Sequence, residues 1–180
     1  MNHRRAPSYP VDARARRRAK IPHELFLTNL VGNHILVFVA TLGMASHNIL
    51  PLLSVPLISL AILAFTLGWA RRSRHHDGWY VMAHWQVAAR LSWIFIAMLA
   101  LLALAAAGAW FGYGTLGLRK ETALALVGGL GMLPAMVTTL VLIIVESDIL
   151  HQAAHGRLPR WIVRRYPPPD GLALEEAQPG

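Results

Sequence analysis

Four long apolar runs, at about 25–45, 52–69, 87–113 and 122–147, dominate this chain, and short basic segments separate them. Each run approaches the roughly 20 residues that a helix needs to cross the hydrocarbon core of a bilayer. Lipid offers no hydrogen bonds to the backbone, so such runs are stable there as helices. The expected fold class is therefore all-α: an integral membrane four-helix bundle with short loops. With 55% of its 180 residues hydrophobic and 14% charged, the chain has no room for a separate soluble domain. Its function is expected within the bundle, at the bundle's faces, or on a partner.

The placement of charge gives an orientation. Of the 17 Lys and Arg residues, all but Arg119 and Lys120 lie before the first run, between the second and third, near the start of the third, or after the fourth. Under the positive-inside rule, both termini and the middle connection are cytoplasmic, and the connections near 46–50 and 114–121 face out. The net charge of +8 is thus accounted for by topology, and no nucleic-acid partner is expected. The basic start is not read as a cleavable signal peptide. Its apolar run is too long for that, and Asn29, Asn33 and His34 interrupt it.

Three regions follow. Residues 1–22, with Pro7, Pro10, Pro22 and an Arg-rich run, are expected to be a disordered basic tail that touches anionic lipid. Residues 23–156 form the four-span domain, and 157–180 an interfacial basic segment followed by a Pro-rich tail. The stretches 77–85 and 157–166 mix Trp and Tyr with polar or basic neighbours, as suits the headgroup level. Alanines at 103, 105, 107 and 109 with Gly108 and Gly112 give the third span a small-residue face that permits close helix approach. Pro134, after Gly128, Gly129 and Gly131, predicts a kink or local break in the fourth span.

Chemistry has few places to reside. Zero cysteines exclude disulfides, thiolate metal sites and Cys nucleophiles. Arg90 and Glu146 fall at similar depth on antiparallel spans, which makes them an expected intramembrane ion pair. Asp148, His151 and His155 share one helical face and, with His84, form a candidate site for haem b or a divalent metal. Asn33 and His34 belong to a polar stripe on the first span and, with the backbone freed by Pro134, form a candidate pocket for quinone or a lipid headgroup. His75–His76 and His151–His155 resemble only fragments of the membrane di-iron desaturase pattern, and no HxxHH box is present.

No Ser-His-Asp order, P-loop or dinucleotide glycine pattern can be assembled. The leading expectation is a non-enzymatic inner-membrane protein that serves as an accessory or assembly subunit, packed on a membrane-protein partner or on copies of itself. The alternatives are a redox anchor that binds haem b or quinone near the cytoplasmic face, and a small transporter or channel. An Arg- and Ala-rich composition without cysteine fits a bacterial inner membrane.

Overall fold

The computed structural model describes residues 8–44, 48 and 50–169; the first seven residues and, of the expected Pro-rich tail, residues 170–180 lie outside these. Among the described residues the fold is all-helical, and the one β-type pairing is an isolated bridge between Ser8 and Arg157. Seven α-helices run in chain order: α1 (Ala13–Leu27), α2 (Phe38–Leu42), α3 (Leu50–His76), α4 (Trp79–Thr115), α5 (Lys120–Leu126), α6 (Leu133–Ala154) and α7 (Arg160–Arg165). Two π-helical segments, Thr28–Val37 and Val127–Met132, join α1 to α2 and α5 to α6. The result is four continuous helices long and apolar enough to span a membrane: Ala13–Leu42, Leu50–His76, Trp79–Thr115 and Lys120–Ala154.

The first helix starts well inside the region expected to lack structure. Asp12 caps it, its carboxylate accepting the Ala15 backbone N–H at 2.5 Å, and the Arg16 Nε donates to the Val11 carbonyl at 3.1 Å. Ala, Arg and Lys after the cap are strong helix formers. The low apolar content of 13–22 is offset because Ala19, Pro22, His23 and Phe26 place one buried face at helical spacing.

Two compact units make up the chain. The first comprises Met1–Arg90 and Val145–Gly180, the second Leu91–Ile144. In the first unit, the N-terminal segment, the α3–α4 turn and the segment after α6 are knitted together. Tyr9 donates its backbone N–H to the Gly156 carbonyl at 2.9 Å, and its ring packs edge-on against Trp79 with centroids 4.9 Å apart. Arg18 pairs with Asp77, and the Trp79 indole donates to the Tyr166 carbonyl at 3.0 Å. Arg74 donates to Gln86, whose amide donates to the Ala70 carbonyl at 2.6 Å. The two aromatic stretches at 77–85 and 157–166 therefore meet each other here.

Gly156 makes this knot possible. It ends α6 with φ at +71°, so that the Arg157 N–H turns back to the Gln152 carbonyl at 2.9 Å. A Cβ on Gly156 would lie 2.8 Å from the Tyr9 carbonyl oxygen.

In the second unit, a Cβ on Gly131 would lie 3.2 Å from the Ala105 Cβ and 2.8 Å from Leu102 Cδ1, whereas one on Gly108 would meet nothing. Close approach of the third and fourth spans thus uses Ala105 and Gly131 in place of the Gly108 face. The break expected around Pro134 takes the form of π-helical Val127–Met132 just before it, which accommodates the missing N–H by widening the helix.

Gly156→Ala is expected to destabilise by about 1–2 kcal/mol, the usual cost of a left-handed conformation for a residue with a Cβ. Gly108→Ala is expected to leave the unfolding midpoint in detergent unchanged or slightly raised. Thermal unfolding of the two variants side by side checks this.

Candidate functional site

Three helices of the first unit bring three fully buried polar side chains into one row. His23 on α1, His84 on α4 and Glu146 on α6 each have 0% of their surface exposed. His23 Nδ1 lies 2.5 Å from Glu146 Oε2, and His23 Nε2 lies 3.0 Å from His84 Nδ1. The two imidazoles meet edge to face, with centroids 5.1 Å apart and planes at 85°.

The sequence builds each position from helical spacing. On α1 and the π-helical turn after it, Ala19, His23, Phe26 and Leu30 follow one another down a single face, and on α6 Leu142, Glu146, Ile149 and Ala153 do the same. On α4, Tyr80, His84, Val87 and Leu91 form the matching face. Tyr80 closes the row: its ring packs 4.8 Å from His84, and its hydroxyl lies 3.0 Å from the Ala153 carbonyl and 3.3 Å from that of Arg157. At one end of the row Glu146 Oε1 is buried without a hydrogen-bond partner. The His84 imidazole also hydrogen-bonds to the Arg157 backbone.

A second polar group ties the first span to α3. Asn29 Nδ2 donates to Ser59 Oγ at 3.1 Å, and His34 Nε2 lies 2.9 Å from the same oxygen. Because Ser59 accepts from Asn29, its hydroxyl proton is free to be donated to His34 Nε2. Asn33 Nδ2 donates to the Val55 carbonyl at 2.8 Å and to Asn29 Oδ1 at 3.2 Å. The π-helix explains the geometry. With i→i+5 bonding, residues four and five apart share a face, so Asn29, Asn33 and His34 all reach α3. On a 3.6-residue helix, Asn29 and His34 would diverge by more than a third of a turn.

The residues expected from sequence take other positions in part. Glu146 is paired with His23, while Arg90 is exposed and lies over the Trp161 ring, its guanidinium carbon 4.8 Å from the centroid. His84 turns to His23, whereas Asp148 and His151 are exposed on α6 and His155 is exposed just past its end. There Asp148 accepts from Gln152 at 2.7 Å, His155 Nδ1 lies 2.8 Å from the His151 carbonyl, and the two imidazoles stack 4.2 Å apart. Among the described residues, no three His, Asp or Glu side chains converge in an arrangement that would hold a metal ion. Asn33 and His34 face Val55 and Ser59; Pro134 belongs to the second unit, at the second residue of α6.

In the sequence, His23 stands out only as one of the histidines gathered at the cytoplasmic end of the spans and Tyr80 only as part of the aromatic stretch 77–85, and Ser59 carries no signal. For His23 the signal was present in the apolar spacing Ala19, Phe26, Leu30 around it, but the helix had been expected to start only at that residue.

The fold and this row of side chains define a helical protein with four membrane-spanning-capable helices and a buried polar core among its helices. Comparison of the chain with family models, curated proteins and solved structures gave no match.

Glu146→Ala strips His23 Nδ1 of its partner in a dry site and is expected to cost about 1–3 kcal/mol. Arg90→Ala removes an exposed cation–π contact and is expected to cost about 0.5–1 kcal/mol. Unfolding midpoints of the two variants check the order; an Arg90 loss equal to or above the Glu146 loss would restore the Arg90–Glu146 pairing. Ser59→Ala, which removes the shared partner of Asn29 and His34, is expected to cost about 0.6–2 kcal/mol by the same assay.

Proposed function

We propose that this chain is a non-enzymatic, multi-pass protein of a bacterial inner membrane and acts as an accessory or assembly subunit of a larger membrane complex. Both termini and the α3–α4 turn lie on the cytoplasmic side, where the basic residues gather. One observation carries the reading: the polar side chains of the spans are spent on ties between the chain's own helices, and what the spans present outward is apolar. His23 bonds both Glu146 and His84, and Asn29, Asn33, His34 and Ser59 bond one another. In contrast, only 22%, 22%, 17% and 11% of the most apolar stretch of each successive helix is buried. Exposed aromatics such as Trp93, Trp110 and Phe111 stand on that outward surface.

Lipid is as apolar as leucine, so association of such a surface with another protein rests on shape and on small residues at the contact. The helix Trp79–Thr115 supplies those, since alanines at 103, 106 and 107 and Gly108 are on its partly or fully exposed surface. No reacting group opens onto an exposed face from either polar tie, which favours an assembly role over catalysis.

The test is the composition of the assembly purified in mild detergent through a tag on this chain, measured by intact-mass spectrometry. Stoichiometric co-purifying membrane proteins are the expected result. A chain that emerges alone overturns the reading. An added non-protein mass with a reduced-minus-oxidised haem spectrum replaces it with the redox-anchor function, and ion flux in liposomes with the transport function.

A further inference from the structure

Arg90 is the only Lys, Arg, Asp or Glu on α4, and residues 91–118 after it carry none. It lies about 16 Å along the helix from Trp79, where the uncharged stretch begins. Side chains on a helix lean toward its N-terminus, so a long arginine here reaches back toward the Trp79 end of α4. What it meets there is the exposed indole of Trp161 on α7, with the guanidinium carbon 4.8 Å from the ring centroid. An exposed guanidinium at the edge of an apolar span calls for an anion. Among the described residues no carboxylate supplies one: the salt bridges join Arg18 to Asp77, Lys20 to Glu24 and His23 to Glu146.

The helix that carries Trp161 is held in place. Leu158 and Ile162 are buried on its inner side, and the Trp79 indole donates to the Tyr166 carbonyl just past its end. Arg164 and Arg165 lie three and four residues on from Trp161, so they flank the indole on the outer side, and both are exposed. Neither has a carboxylate partner among the described residues. One indole therefore has a guanidinium over its face and two more arginines beside it on its own helix. A guanidinium stacked on a ring keeps its N–H groups in the plane of the stack, where they can meet two oxygens of one phosphate.

We propose that Arg90, Trp161, Arg164 and Arg165 form a binding site for the phosphodiester of one anionic phospholipid. The charge set is complementary to a lipid with a net negative headgroup, and basic sites beside a span recognise such lipids. Trp161 suits the headgroup level, where indoles are favoured. Arg90 marks the boundary at which polar residues give way to an uncharged helix surface, so a phosphate held there leaves its acyl chains at the level of the apolar stretch. The site rests on the reading of the four helices as membrane spans and not on the accessory role. Lipid retention and co-purification of a partner are separate measurements, so either can fail without the other.

Native mass spectrometry of the full chain in a nonionic detergent, titrated with phosphatidylglycerol or with phosphatidylcholine of the same acyl chains, tests the site. The wild type is expected to retain one phosphatidylglycerol per chain, with an affinity about tenfold or more above that for phosphatidylcholine. Arg90→Gln and Arg164→Gln are each expected to lower the phosphatidylglycerol affinity about fivefold, the effect of one basic residue beside an anionic headgroup. Arg71→Gln, at an exposed arginine of α3, is expected to lower it less than about twofold. Equal retention of the two lipids overturns the site, as does an unchanged affinity in a folded Arg90→Gln or Arg164→Gln variant. So does a loss in Arg71→Gln as large as that in Arg90→Gln, which would mean a diffuse basic surface. Displacement of the lipid by an equal concentration of glycerol phosphate would mean a site for a soluble anion and overturns it too. The wild-type comparison and the competition decide the matter even where a variant fails to fold.

Discussion

Glu146 follows an unbroken aliphatic run, residues 140–145, and is fully buried. Taking its carboxyl group out of water is affordable only if another polar group meets it inside, and His23 does so from α1. His23 in turn must satisfy its second nitrogen, which brings in His84 from α4. One buried carboxyl therefore fixes the mutual position of three helices that the apolar effect alone would leave free to slide, since in lipid one aliphatic face is as good as another. The knot of Tyr9, Trp79, Gly156 and Tyr166 belongs to the same compact unit, in which the row is fully buried.

The same logic repeats one level along the first span. There the helix abandons the α-register for ten residues, and the looser winding turns Asn29, Asn33 and His34 together onto Ser59 and Val55. A π-helix is a less favourable winding in itself, so it persists where the polar contacts it permits outweigh the cost. Both ties lie between elements of one compact unit, while Leu91–Ile144 relies on small residues such as Ala105 and Gly131 to let its helices approach.

The four spans and the all-helical class could be read from the sequence because helix length and apolar run length are set directly by local composition. So could the disturbance before Pro134, since proline acts within its own turn. The partner of Glu146 could not. Arg90 and His23 both lie near the same end, and choosing between them depends on the rotation of each helix about its axis, which the nearly all-apolar surfaces of α4 and α6 leave undetermined. Likewise the pairing of Asn29 and His34 is invisible at α-helical spacing, because five residues apart they point in different directions until the backbone changes its winding. His84 was recognised as chemically capable, but the reading sent it toward His151 and His155 when the face of α4 that carries Tyr80 and Val87 turns it inward.

The central claim is that Glu146 is held by His23. Solid-state NMR of the full chain in lipid, with the glutamate side-chain carboxyl carbon and the histidine ring nitrogens labelled, measures it directly through their dipolar coupling. A strong coupling between the Glu146 carboxyl carbon and His23 Nδ1, at a separation matching the 2.5 Å oxygen–nitrogen contact, is the predicted result. A Glu146 carboxyl with no histidine coupling, or one coupled to the Arg90 guanidinium when that group is labelled instead, would contradict the account.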